Sequence, residues 1–366
     1  MAFAFYLLMP TLPIYLTGFL HISNATTGII MSVYVIAALL MRPLAGFLID
    51  KFPRKMLYVI SFACFVLLFV AYLEASGAAA FLILRLLHGL VWGVITTSGN
   101  TIAIDIVPPE RRGEGIGYYG MSMNLAMACG PLVGLLLCEY GPFVHVFQMA
   151  IISATLGFIL AFLMRVPHKK PHPHSILSLD RFILIKGIPA GVALICITIA
   201  YGLILTYAAM YGKQNSIPNP GIFFVAMAAG IIVARLFSSK LLDRGMSMQV
   251  AIVGGLISAA SLLLLGLFPV SACYFISAGA VGIGYGMTFP AVQHIIVNHG
   301  DHHQRGTANS TFFTAFDFGV GLGILLGGQI AQHFHLSIAF ILVSISTLLG
   351  ALLLWRLPKG ASIQKL

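Results

Sequence analysis

Of 366 residues, 59% are hydrophobic and only 8% charged, and the mean hydropathy is +0.99. A soluble domain that apolar lacks the polar surface to stay dispersed, so the composition excludes a water-soluble enzyme and requires an integral membrane protein. The net charge of +10 would fit a nucleic-acid partner, but the basic residues sit in loops between apolar runs, which excludes that reading.

In chain order the sequence offers twelve apolar stretches of the roughly 20 residues a spanning helix needs. They cover 1–20, 28–49, 56–73, 78–104, 115–138, 143–164, 187–212, 221–242, 248–269, 271–297, 307–332 and 336–355. The predicted fold class is an all-α membrane protein of twelve transmembrane helices. A signal peptide does not fit the first stretch, since Pro10 and Pro13 fall inside it and no cleavage-type segment follows. Met1 leads into that stretch with no basic flank, so a few native residues are expected upstream of it.

Sixteen basic residues lie in every second loop or at the C-terminus, among them Lys51, Arg54, Lys55, Arg111, Arg112, Arg165, Lys186, Lys240, Arg244, Arg305 and Arg356. The intervening loops hold one, Lys213. That asymmetry is the positive-inside pattern, and it predicts cytoplasmic basic loops and cytoplasmic N- and C-termini. Five cysteines, all within apolar runs and without pairing spacing, read as small packing residues.

The longest polar segment, 165–186, is basic and proline-rich and reads as a cytoplasmic linker. It divides the chain into an N-terminal six-helix bundle, 1–164, and a C-terminal bundle with a short tail, 187–366. The two halves repeat at an offset of 193 residues. Arg42, Gly46, Asp50 and Lys51 recur as Arg235, Ser239, Asp243 and Arg244, and Arg112-Gly113 as Arg305-Gly306. Asn124 answers to Asp317, and Gly130 and Gly134 to Gly323 and Gly327. Two parallel repeats in a membrane protein place the working site at their interface, near the bilayer midplane.

The second stretch closes on Gly46-Phe-Leu-Ile-Asp50-Lys51-Phe-Pro53-Arg54-Lys55. Gly46 has no side chain to hold two helices apart. Asp50 can pair with Arg54 or Lys55, or face the positive end of a nearby helix. This run resembles the signature loop of the major facilitator superfamily, G-x-x-x-D-R/K-x-G-R-K/R, and departs from it at Pro53, where the family has glycine. The resemblance covers essentially the whole chain, and it implies two pseudo-symmetric six-helix bundles with alternating access around a central cavity. It assigns Gly46, Asp50, Lys51, Arg54, Lys55, Asp243 and Arg244 to a gate.

Gly130-Pro131-Leu-Val-Gly134 resembles the G-P-x-x-G motif of the family's proton-driven exporters, although Ala126 and Ala128 replace upstream glycines. The structural alternative is an ordinary kinked helix. Arg85-Leu-Leu-His88-Gly89 is similar to the family's R-x-x-x-G motif, linked to proton transfer. At about 10 Å from the outer surface, the Arg85 side chain either snorkels outward or serves a proton or anion site.

Asp317 lies some 16 Å along its helix from Gly306, near the midplane of a roughly 30 Å hydrocarbon layer. An ionised carboxylate there costs several kcal/mol unless it is paired. Asp317 is therefore the first candidate for carrying a proton, the alternative being a structural, arginine-paired acid. Arg42 and Arg235 each stand about 12 Å before a loop aspartate. They suit pairing between the halves or support of the loop, with substrate contact as a third role. Asp105, near the end of the fourth stretch, reads as a partner for nearby basic groups, Arg42 among them. Tyr15, Asn100, Asn124, Tyr201, Tyr207, Gln293 and His294 are candidate cavity residues.

The histidines between His168 and His174, and those at His299, His302 and His303, lack ligand spacing, so no metal is expected. No phosphate-binding loop or nucleophile–base pair is present, which argues against an ATP-driven pump and against catalysis. Asn24-Ala-Thr26 is a glycosylation triplet, meaningful only in a eukaryotic secretory context. The expected protein is a monomeric transporter of the inner membrane. It exports a small organic solute or drug in exchange for protons, with the proton gradient as its energy source, and needs no cofactor. Uptake of a sugar-like or organic-acid solute is the alternative, with a membrane-embedded enzyme or receptor more remote.

Overall fold

The computed structural model describes residues 1–108, 112–166, 184–299 and 305–357. The side chains of Pro43, Asp50, Ile104, residues 112–121, Asn124, Asp243, Arg305 and Gly306 lie outside the description.

In a chain this apolar, backbone polar groups must be satisfied within each segment, and the α-helix does that. Among the described residues there are twelve α-helices. The first six are α1 (Ala2–Gly18), α2 (Asn24–Lys51), α3 (Arg54–Ala71), α4 (Gly77–Ile106), α5 (Arg112–Tyr140) and α6 (Val144–Leu163). The second six are α7 (Ile188–Gln214), α8 (Ile222–Asp243), α9 (Ser247–Leu267), α10 (Ser271–Asn298), α11 (Arg305–His333) and α12 (Leu336–Arg356). Ten contain a stretch long and apolar enough to cross a membrane, while α1 and the Leu125–Tyr140 part of α5 are shorter apolar helices. Polar side chains inside α4 turn back on their own helix. Thr96, Thr97 and Thr101 each donate to the carbonyl four residues earlier, at 2.7–2.9 Å.

Local chemistry sets the ends. The Ser23 hydroxyl accepts from Thr26 N at 3.2 Å and starts α2. At the end of α8, Gly245 adopts φ +78°, while Gly245 N and Met246 N donate back to Leu242 O and Leu241 O. That is a Schellman ending, which glycine permits. The equivalent turn of the first half solves the problem differently. Phe52 is extended, and Pro53, with φ −57°, leads straight into α3.

Packing repeats with the sequence. α2 lies on α4 as α8 lies on α10, α1 on α5 as α7 on α11, and α3 on α6 as α9 on α12. A Cβ added at Gly93 would lie 2.8 Å from Ala38 O, and one at Gly286 would lie 2.8 Å from Ile231 O. Both members of the second pair stand 193 residues beyond the first. The fold is therefore two pseudo-symmetric six-helix bundles. They meet through α2 with α11, α5 with α8, and α1 with α7.

One end of the molecule carries Lys51, Arg54, Lys55, Lys240 and Arg244 and is the basic end; the opposite end, with Lys213, is the lean end. At the lean end the halves are fastened together. Asn24 Nδ2 donates to Ala331 O at 3.0 Å, and a Cβ on Gly28 would sit 2.9 Å from Gly328 Cα.

Candidate functional site

The residues of α11 that face α2 recur every three or four positions: Phe313, Asp317, Gly321, Leu325 and Gly328. On α2 the matching stripe is Gly28, Val35 and Arg42, at heptad spacing. Gly28 meets Leu325 and Gly328, and Val35 meets Gly321. At the level of Asp317, Arg42 Nη2 lies 2.6 Å from Asp317 Oδ2, with the guanidinium carbon 5.2 Å from the centre of the Phe313 ring.

The stripe thus ends in an ion pair between the two bundles. Its side chains are 23% and 16% exposed. Arg42 Nε and Asp317 Oδ2 have no hydrogen bond of normal geometry, so the charges meet in one end-on contact rather than a bidentate fork. At this depth a single contact still carries a large Coulomb term, yet it releases in one step.

Asp317 is within electrostatic reach of Tyr6 on α1 and Tyr34 on α2. Tyr6 is hydrogen-bonded to Tyr201 on α7, whose hydroxyl donates to Met127 Sδ on α5 at 2.7 Å. The Tyr201 ring also packs against Tyr285, Phe289 and Phe316. Helices of both halves therefore converge on a packed aromatic cluster near the ion pair.

Arg85 does not snorkel. It is 1% exposed inside the first bundle, with its guanidinium carbon 4.7 Å from the centre of the Tyr34 ring and Nη2 3.1 Å from Met31 Sδ. Its Nε, the Tyr34 hydroxyl and His88 Nε2 all lack a hydrogen-bond partner. Among the described residues no carboxylate pairs with Arg85. Tyr34 feels both Arg85 and Asp317 and so stands electrostatically between them.

Other expectations need correction. Asp105 pairs with Arg54 and not with Arg42, because the end of α4 meets the start of α3. Lys55 lies 6.0 Å from the centre of the Phe162 ring. The side chains of Asp50 and Asp243 are outside the described residues, and Lys51 and Arg244 are exposed. Gly46 makes no close approach: a Cβ there would meet nothing within 4 Å.

Tyr15 is half-buried, stacked on Phe143 with its ring centre 4.3 Å away and beside the tilted ring of Phe81. Tyr207 is fully buried and donates to Ile324 O at 3.2 Å, fastening α7 to α11. His294 bonds Ser247 at 2.7 Å, between α10 and α9. Gln293 donates to Asn309 on α11 at 3.0 Å. Asn100 is exposed on α4, and the Asn124 side chain lies outside the described residues.

Most of the linker and the histidines His168, His172, His174, His302 and His303 also lie outside the described residues. In the motif of α5, Gly130 and Gly134 press against Leu7 of α1, where an added Cβ would lie 2.9 Å from Leu7 N and 2.7 Å from Leu7 O. Pro131, beside them, is buried. Tyr6, Tyr34, Met31, Met127 and Phe313 were not singled out from sequence. An aromatic or methionine inside an apolar run carries no signal of its own.

Comparison with known proteins agrees with this architecture. An uncharacterised MFS-type transporter of Burkholderia pseudomallei (strain 1106a) is 27% identical over 351 residues, covering 92% of this chain and 85% of that protein. The staphylopine export protein of Staphylococcus aureus (strain Mu50) is 24% identical over 326 residues, covering 85% and 81%. Among solved structures, the nucleoside transporter NupG superposes with a TM-score of 0.80 at 15% identity, over 96% of each chain. The family model of the Major Facilitator Superfamily matches residues 1–323 and 221–365, overlapping matches that together take in nearly the whole chain. Twelve helices in two repeated bundles, closed on each other around one intramembrane ion pair, belong to a multi-pass membrane transporter, and the chain is a member of the major facilitator superfamily.

Proposed function

We propose that this transporter exports a small organic solute in exchange for protons. In this reading it lies in the inner membrane with the basic end and both termini cytoplasmic. The observation that carries the proposal is the Arg42–Asp317 contact, 2.6 Å long and shared between the halves at mid-depth. A carboxylate in that position couples protonation to domain movement, because discharging it removes the one charge that holds α2 to α11 there.

In this reading the state described here, fastened at the lean end, is the one that accepts solute from the cytoplasm. Asp317 is then ionised and paired. Rocking separates Asn24 from Ala331 and exposes Asp317 to the other side, where it takes up a proton as the solute leaves. Return to the first state gives the proton to the cytoplasm and re-forms the pair. Arg85 assists through Tyr34, on which the charges of both Arg85 and Asp317 act. The 24% identical export protein supports the direction of transport.

The test uses inside-out vesicles with an imposed proton gradient. Wild type should accumulate solute in the lumen and release protons from it, whereas Asp317→Asn should retain downhill exchange and lose gradient-driven accumulation. Full gradient-driven transport by that variant overturns the assignment. Accumulation in right-side-out vesicles instead would establish uptake.

A further inference from the structure

Resting on the transport reading above, we propose that Arg235 binds the anionic group of the transported solute. A carboxylate or similar oxyanion would take the place opposite Arg235 that Asp317 fills opposite Arg42. The argument starts from register. A Cβ added at Gly28 would lie 3.2 Å from Leu325 O and 2.9 Å from Gly328 Cα; one at Gly221 would lie 3.4 Å from Leu132 Cα and from Leu135 Cδ1. Gly221, Leu132 and Leu135 are the partners of Gly28, Leu325 and Gly328 under the 193-residue offset. The α2–α11 and α8–α5 interfaces are therefore one interface built twice.

Fourteen residues beyond each glycine, about four turns along on the same face, comes an arginine: Arg42 after Gly28 and Arg235 after Gly221. Opposite Arg42 stands Asp317. The corresponding position on α5 is 124, where the chain carries asparagine, which supplies no charge. Arg235 is exposed, and among the described residues it has no ion-pair partner.

Gly221 of this heptad stripe meets Leu132 of α5, and the repeat carries the stripe on to Arg235 as it carries Gly28 on to Arg42. With no ion-pair partner among the described residues, the Arg235 guanidinium favours an anion, and its planar fork fits a carboxylate. A bound anionic solute would complete the second interface as Asp317 completes the first. Solute and proton would then act on equivalent joints of the two halves.

The experiment is growth inhibition in a host stripped of its own exporters. The probes are fusidate, nalidixate and benzoate as anions, ethidium and benzalkonium as cations, and chloramphenicol as a neutral compound. Wild type should change the inhibitory concentration of at least one anion, and Arg235→Gln should abolish the change, a loss of about ten-fold in apparent affinity. Arg235→Lys should keep part of it.

Asn124→Asp leaves Arg235 in place but gives it a fixed carboxylate, so it too should abolish the response. Membrane content and monodispersity of each variant show that it folds. A response confined to cations or the neutral compound, no response to any anion, or an anion response that survives both Arg235→Gln and Asn124→Asp overturns the proposal. If wild type sensitises cells to the anions instead of protecting them, export fails and the Arg235 site stands. If it protects through a mechanism blind to Arg235, the reverse holds.

Discussion

Arg42 of α2 and Asp317 of α11 come from different halves of the chain and meet at 2.6 Å, making one contact across the interface between bundles. Toward the lean end the same two helices are fastened through Val35 and Gly28 as far as Asn24. The ion pair thus joins the halves at the other end of that stripe, the end nearer the basic loops.

Removing one member should be worse than removing both. Arg42→Gln leaves an unpaired carboxylate at mid-depth and Asp317→Asn an unpaired guanidinium, each costing about 3 kcal/mol. The double variant should recover much of that stability without recovering coupling. Thermal unfolding in detergent and a double-mutant cycle measure the interaction; additive losses would show that the pair contributes nothing.

The fastened end makes a second, separate prediction. Gly28→Leu forces a side chain into the 2.9 Å space before Gly328 Cα, and overpacking of this kind costs about 1–3 kcal/mol. That cost falls only on the state closed at the lean end, so the population should move toward the other state. A cysteine at Ala331 should react several-fold faster with an impermeant maleimide in Gly28→Leu than in the parent. Equal rates would count against the contact as a gate.

Much of this architecture is legible in the sequence, and the remainder is not for a specific reason. Apolar runs mark where the chain crosses hydrocarbon, so all twelve helices are recovered, while the ends differ because caps set them: α2 begins at Asn24, after the Ser23 cap, and not at 28. The depth of Asp317 follows from counting residues. Its partner does not, because pairing across bundles depends on the rotation of α2 and α11 about their own axes. Arg42 and Asp105 share a half, which makes them look like partners, yet Arg54 reaches Asp105 first. Tyr207 and Tyr15 look like cavity residues for the same reason: a polar atom in an apolar run is visible, but the side it faces is not.

Arg85 offers a test in which stability and function should move in opposite directions. Its charge is buried among Tyr34, Tyr72, two methionine sulfurs and His88, with no carboxylate partner among the described residues. An apolar side chain of similar length removes the cost of burying an unpaired cation, against a cation–π contact worth about 2 kcal/mol. Arg85→Met should therefore unfold at the same temperature or higher, while gradient-driven transport falls. A large loss of stability would mean that the charge has a counter-ion in the folded protein.

The Arg54–Asp105 pair should behave as a structural element and no more. It joins α3 to α4 within one half, so it does not lengthen or break when the halves rock against each other. The Asp105 side chain is only 5% exposed, so Arg54→Ala, which removes a cation from beside it, should lower stability. Asp105→Asn removes the acid and should cost less, since the Arg54 side chain, 25% exposed, retains access to water. Neither change touches the interface between bundles. Variants that remain folded should keep the wild-type dependence of transport on the proton gradient, with only the amount of active protein reduced. Measured per folded transporter in vesicles, a change in that dependence would instead place this pair in the coupling machinery, beside Arg42 and Asp317.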